Sequence, residues 1–182
     1  MNIACLGWGS LIWKPDSLPT QGAWHEDGPQ LPIELSRVGD GGELATAISM
    51  NAPASPVLWV WLNVATVADA CEALREREQI PAERSGGIGS LLVGDDDPGP
   101  LARWGRAKGI HAVVWTALPP RFDGIEGRIP SGNDAVAYLA NLTGEERDHA
   151  RSYIEQIPEQ IDTPYRRVIA QRLGWGPGAN TK

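Results

Sequence analysis

The sequence is poor in several residue types: 182 residues hold one Phe, two Cys, two Met and three His. Cys5 and Cys71 have neither a CxxC nor a metal-ligand spacing. His25, His111 and His149 form no HxxxH or HExxH pair, so a zinc site is not expected. No apolar run approaches the roughly 18 residues that span a bilayer. MNIACLGWGS lacks the basic start of a signal peptide. A net charge of −7 without a Lys/Arg cluster argues against nucleic acid or an anionic membrane as partner. A reduced, cytoplasmic setting is the default expectation.

What is present is an ordinary globular mix, 42% hydrophobic and 21% charged, with eight Trp, 21 Gly and 15 Pro. The length suits one domain over 1–182, and no repeat or low-complexity linker divides it. Residues 2–6 read as a buried strand followed by the turn GWGS. Pro15 and Pro19 make 14–30 a loop. Segments 31–38 and 44–50 form a hairpin across GDGG. VLWVWLNVA at 57–65, apolar on both faces, reads as a central strand. Thr66 caps a helix over 67–79, with Asp69 three residues on, and Pro81 ends it.

Further along, a short strand (IGSLLVG) and the acidic loop DDDPGP precede a strand over 110–118. Ser131 opens a helix over 133–142. Thr143 and Glu146 form a capping box for a helix over 144–157, with the apolar stripe Ala150, Tyr153, Ile154 and Ile157. Thr163-Pro164 leads into a last strand, 165–173, and the tail after Gly174 reads as frayed. The order points to an α+β fold with a mixed, mostly antiparallel sheet or barrel and flanking helices.

Two places can carry chemistry. In Gly7-Trp8-Gly9-Ser10-Leu11, two glycines allow φ > 0 or a close backbone approach, successive N–H groups can form an anion nest, and Ser10 adds a hydroxyl. The bland alternative is a tight turn that contains Gly and Ser. A dinucleotide fingerprint fails, because Ile12 replaces the third glycine and Lys14-Pro15 follows where a helix should run.

The second place is Glu78. It continues the stripe Val67, Ala70, Cys71, Leu74, within about 20° of Val67 around the helix axis, whereas Glu72 and Glu76 point away. A buried carboxylate there has a raised pKa and serves as a general base near neutrality. The alternative is that Glu78 swings to water or pairs with Arg75 or Arg77.

Together these runs resemble the γ-glutamylcyclotransferase superfamily, especially its ChaC-like branch. GWGSLIW at 7–13 is similar to the branch's GYGSLIW. The run VLWVWLNVATVADACEALREREQ is similar to its strand–helix segment ending in LDxRE, with Glu78 at the position of the catalytic acid/base. Pro130-Ser131-Gly132-Asn133 with Tyr138-Leu139-Ala140-Asn141-Leu142 is similar to PSGxNxxYLxNL. By order of elements the likeness touches most of the chain; its close matches are these three runs.

The resemblance implies a γ-glutamylcyclotransferase-like fold and a small-molecule γ-glutamyl substrate. It implies release of 5-oxoproline without a metal or cofactor, with Glu78 catalytic and Trp8, Gly9, Ser10 and Leu11 at the substrate. It does not specify the leaving group or the oligomeric state. Trp8 in place of Tyr, Arg75 in place of Asp, and Gln79 after the glutamate depart from the pattern. They motivate the alternative of a γ-glutamyl-ligand binding protein with altered or lost catalysis.

A third alternative is another hydrolase or lyase using Glu78 or Glu126, the latter in the glycine-flanked DGIEGR loop. Trp59, Trp61 and Trp115 read as core, Trp13 and Trp24 as possible pocket walls, and Cys71 as a buried, inert thiol. Tyr165 either aims its hydroxyl into a site or ends a turn.

Overall fold

A computed structural model describes residues 1–176. The chain is α+β, with two mixed, mostly antiparallel sheets and, among the described residues, five helices. It gathers into two compact units. One comprises Met1–Gly7, Lys14–Gln30 and Pro56–Leu118; the other comprises Trp8–Trp13, Leu31–Ser55 and the chain from Pro119 onward.

In the first unit the strands are β1 (Ile3–Gly7), β2 (Thr20–His25), β6 (Leu58–Leu62), β7 (Gly87–Leu92) and β8 (Ala112–Ala117), in the order β2-β6-β1-β8-β7. The central β1 is buried along its whole length. It pairs antiparallel with β6 (Cys5 opposite Val60) and parallel with β8 (Cys5 opposite Val114). That placement explains why NIACL and VLWVWL carry no polar face.

The segment expected to be loop over 14–30 contains the edge strand β2, whose prolines lie outside it. Its residues are mostly exposed, so it has no alternating apolar pattern by which to be recognised. Helix α1 (Val67–Glu78) lies against β7 and β8. Helix α2 (Pro100–Ala107) starts at a Pro and lacks a side-chain cap, and the sequence did not announce it.

Trp59 is buried in this unit, while Trp61 and Trp115 are half-buried. Trp59 stacks on His25 at 4.2 Å, meets Trp61 and Trp104 edge-on, and donates to Asp27 Oδ1 at 2.8 Å. The Asp27 carboxyl, hydrogen-bonded by Lys108 and Trp59, is held below the ordinary carboxylate range.

In the second unit β3 (Gln30–Val38) and β4 (Leu44–Ile48) form the expected hairpin, closed by Gly39 and by Gly42 at φ +84°. β5 (Ala54–Pro56) pairs with β3, and the two-residue strands β9 (Arg121–Phe122) and β10 (Ile125–Glu126) extend the sheet to β10-β9-β3-β4. Helices α3 (Gly132–Ala140), α4 (Gly144–Gln156) and α5 (Pro164–Leu173) complete the unit, α3 packing on α5 and α4 on β4.

Two expected features are corrected here. Residues 165–173 are helix, not strand: Thr163 accepts the Arg166 N–H at 3.1 Å, Pro164 fills the first turn, and Gly174 closes the end at φ +73°. Thr143 makes no side-chain cap, because Gly144 at φ +60° takes the first turn off helical dihedrals. The capping box belongs instead to Ser131 and Asp134 at α3.

Trp175 is fully buried, so the chain is not frayed immediately after Gly174; the rest of that expectation, 177–182, lies outside the described residues. Arg166, 3% exposed, donates to the carbonyls of Ile157, Pro158 and Ile161 at 2.6–3.0 Å and so closes the exit of α4.

Candidate functional site

Residues 8–13 and Glu78 fall in different units. Gly9 and Ile12 close the GWGSLIW turn through an N–H to carbonyl bond of 3.0 Å. Trp8, Gly9 and Leu11 are buried, while Ser10 is half-buried. Neither Gly7 nor Gly9 has a positive φ. What Gly9 supplies is close approach: a Cβ there would lie 2.4 Å from the Tyr153 hydroxyl and 2.6 Å from Thr46 Oγ1.

Those two groups are the clamp of the turn. Thr46 Oγ1 donates to the Trp8 carbonyl at 3.0 Å and lies 3.1 Å from Tyr153 Oη, which accepts the Thr46 N–H at 3.2 Å. Trp13 meets the Tyr153 ring edge-on at 5.3 Å. Tyr153 does sit on the apolar stripe of α4, as its spacing implies, but its hydroxyl holds the Gly-rich turn.

Glu78 is the last residue of α1, and the turn after it is built for a sharp stop. Gln79 is left-handed (φ 55°, ψ 38°), its N–H reaches the Glu76 carbonyl, and the Ile80 N–H reaches that of Arg75, each at 3.1 Å. The left-handed conformation costs a side-chain-bearing residue roughly 1–2 kcal/mol, and the extra unfolded freedom of glycine returns about 0.4–1 kcal/mol. Gln79→Gly is therefore expected to stabilise the chain by about 0.5–1 kcal/mol, read as a higher urea midpoint at unchanged slope; a lower midpoint refutes this account of the cap.

The Glu78 side chain is 18% exposed, and its Oε1 pairs with Arg77 Nη1 at 3.2 Å. Arg77 in turn donates from Nε and Nη2 to the Lys14 carbonyl at 3.1 and 2.6 Å, with Asp16 4.0 Å away. The carboxylate is thus largely withdrawn from water and makes the Arg77 pair that its sequence position offered as an alternative. Arg75 turns elsewhere, to the carbonyls of Pro81 and Arg84. Cys5 of β1 is buried, and its thiol is pushed far up, by burial first and then by the nearby Glu78 charge. Cys71, expected to be buried, is only partly so, since α1 covers the sheet chiefly with Ala70 and Leu74.

The remaining singled-out residues have structural partners. Glu126 lies on β10 and ion-pairs with Arg37 at 3.1 Å and Arg121 at 3.7 Å. The Tyr165 hydroxyl donates to the Pro130 carbonyl at 2.6 Å and accepts from Asn51 at 2.9 Å, tying the start of α5 to the PSGN loop.

One buried carboxylate was not anticipated. Glu34 on β3 is 1% exposed; it accepts the Leu35 and Tyr165 N–H groups and the Thr163 hydroxyl, at 2.9, 3.3 and 2.5 Å. It therefore binds β3 to the N-terminus of α5, where a helix favours negative charge. Burial outweighs these bonds and raises its pKa. The folded state then keeps the Glu34 proton over a window that opens just above the unfolded value, about 4.3, whereas the unfolded chain has released it. The stability of wild type relative to Glu34→Gln is expected to rise as pH falls from neutrality through that raised pKa and to level off near the unfolded one. Urea unfolding of both proteins between pH 4 and 8 checks this; a difference independent of pH would refute it.

Among the described residues, no group of three or more His, Cys, Asp or Glu side chains is arranged to hold a metal ion, and no helix is long and apolar enough to cross a membrane. No family model matches the chain, and no curated protein matches it.

Proposed function

We propose that the protein is a γ-glutamylcyclotransferase-like enzyme of the ChaC-like kind, acting on a γ-glutamyl peptide or amine. The observation that carries this reading is Glu78: a carboxylate largely withdrawn from water at the end of a helix, braced through Arg77, at the position where the resembling family has its acid/base. The clamped GWGSL turn is the second support.

In this reading Glu78 takes a proton from the substrate α-amine as its nitrogen attacks the γ-carbonyl carbon. The new C–N bond closes the five-membered ring, and the bond to the leaving amine breaks. Glu78 returns the proton to that amine, so 5-oxoproline and a free amine result with no net change in the enzyme. Holding the substrate folded, with amine and carbonyl in near-attack geometry, supplies much of the rate.

The Arg77–Glu78 ion pair itself favours a second reading, a γ-glutamyl-ligand binding protein, because a paired carboxylate is a weaker base. Purified protein incubated with glutathione and a panel of γ-glutamyl amines and dipeptides separates the two. Release of 5-oxoproline, detected by mass spectrometry, is expected for the enzyme. Ligand binding without product identifies the binding protein.

A further inference from the structure

We infer that Arg77 is the positioning residue for Glu78, fixing the direction of its carboxylate and holding it ionised; this rests on the role proposed for Glu78. The geometry is specific to an arginine. One edge of the guanidinium, Nε with Nη2, grips the Lys14 carbonyl through two hydrogen bonds, and the remaining Nη1 reaches Glu78 Oε1. The Arg77 side chain is 10% exposed, so the grip is shielded from water.

The fork thus transmits the position of the Lys14–Asp16 segment, where Asp16 is itself left-handed at φ 52°, to the carboxylate at the end of α1. A lysine has no planar fork: it can supply charge to Glu78 but cannot grip one carbonyl twice and still present a third donor. Charge and orientation are therefore separable by substitution.

The titratable and charged groups facing Glu78 in the first unit set the background. From α1 there is Arg77; behind it, from the loop before β2, stands Asp16; from β1 there is the Cys5 thiol. Cys5 stays neutral throughout the working range, and Asp16 faces Arg77 at 4.0 Å. Arg77 is the cation paired with Glu78, at 3.2 Å, and is the charge that substitution removes here.

The test uses the full chain with Arg77→Met and Arg77→Lys, with circular dichroism as the check of folding. Glutamate side-chain carboxyls are labelled with carbon-13, and the Glu78 signal is assigned by its loss in Glu78→Gln. In Arg77→Met the Glu78 midpoint is expected to rise by about one pH unit or more; in Arg77→Lys it stays near that of wild type. With a γ-glutamyl substrate, the acid limb of kcat/KM follows the same shifts. Turnover falls in both variants, since neither preserves the fork. Should Arg77→Met fail to fold, the combination of a wild-type midpoint with reduced kcat in Arg77→Lys still identifies the fork as what orients the carboxylate. An unmoved Glu78 midpoint in folded Arg77→Met, or full kcat in Arg77→Lys, overturns the inference. If wild type makes no 5-oxoproline, the proposed reaction fails instead, and the carboxyl titration alone decides whether Arg77 governs Glu78.

Discussion

Under the function proposed above, Glu78→Gln is expected to lose 5-oxoproline formation by about 10²–10⁴-fold in kcat, the range typical of removing a general acid/base, while the protein stays folded. Both halves of that expectation follow from the end of α1. The cap is made by backbone groups, the Gln79 and Ile80 N–H donors on the Glu76 and Arg75 carbonyls, so it does not use the Glu78 side chain. Glutamine keeps an acceptor oxygen for Arg77, whose two hydrogen bonds to the Lys14 carbonyl survive the change. Both side chains are largely buried, so losing the charge costs more than at the surface, and the acceptor oxygen that glutamine retains limits that cost. Activity and folding therefore separate in this variant. Matched circular dichroism, with a lowered urea midpoint that still leaves the protein folded, beside a near-complete loss of product is the expected result. Full activity in Glu78→Gln removes Glu78 from the chemistry and leaves the ion pair as a purely structural contact.

The strands most legible in the sequence were those buried on both faces. VLWVWL and NIACL sit side by side as β6 and β1 because an unbroken apolar run has no other place to go. Helix α1 was legible from both ends, through the Thr66 cap and the stop before Pro81. The reading failed where a local preference was outvoted. YRRVIAQRL carries a β-branched pair suggestive of a strand, yet Thr163-Pro164 at one end and Gly174 at the other form a complete set of helix boundaries. Those boundary signals were present in the sequence and outweigh two β-branched residues.

β2 was hidden for a different reason. An edge strand with mostly exposed side chains leaves no period to detect. Part of the candidate site was hidden by distance along the chain. Tyr153 and Thr46 lie 107 residues apart, so nothing local tells a stripe tyrosine that fills core from one that clamps a turn. Glu34 is the same problem in a strand. Flanked by Ile33 and Leu35, it reads as the outward residue of an alternating pair, and only the arrival of α5 over that face makes it a buried ligand of a helix N-terminus. The Glu78–Arg77 pair, by contrast, joins neighbours in sequence and was among the alternatives that its spacing allowed.

Gly9→Ala is expected to destabilise the chain by about 1–3 kcal/mol, the range for forcing an atom into a filled site. The added methyl has no room, because the Tyr153 hydroxyl and Thr46 Oγ1 occupy the space at 2.4 and 2.6 Å. Neither atom is the loose end of a flexible chain. Tyr153 Oη accepts the Thr46 N–H, and Thr46 Oγ1 donates to the Trp8 carbonyl, so moving either one breaks a buried hydrogen bond and shifts the turn. Leaving such a group unpaired costs about 1–3 kcal/mol, comparable to the clash itself. The structure can therefore relax the strain only by giving up the clamp.

A double-mutant cycle distinguishes this from a general intolerance of alanine. Tyr153→Phe removes the nearer oxygen and leaves the ring carbon Cζ at 3.5 Å, an ordinary contact, while Thr46 Oγ1 remains. In that background Gly9→Ala is expected to cost less than in wild type, with a coupling of about 0.5–3 kcal/mol, as for residues in direct contact. Urea unfolding of the four proteins measures it. Strict additivity would mean that the turn does not rest on Tyr153.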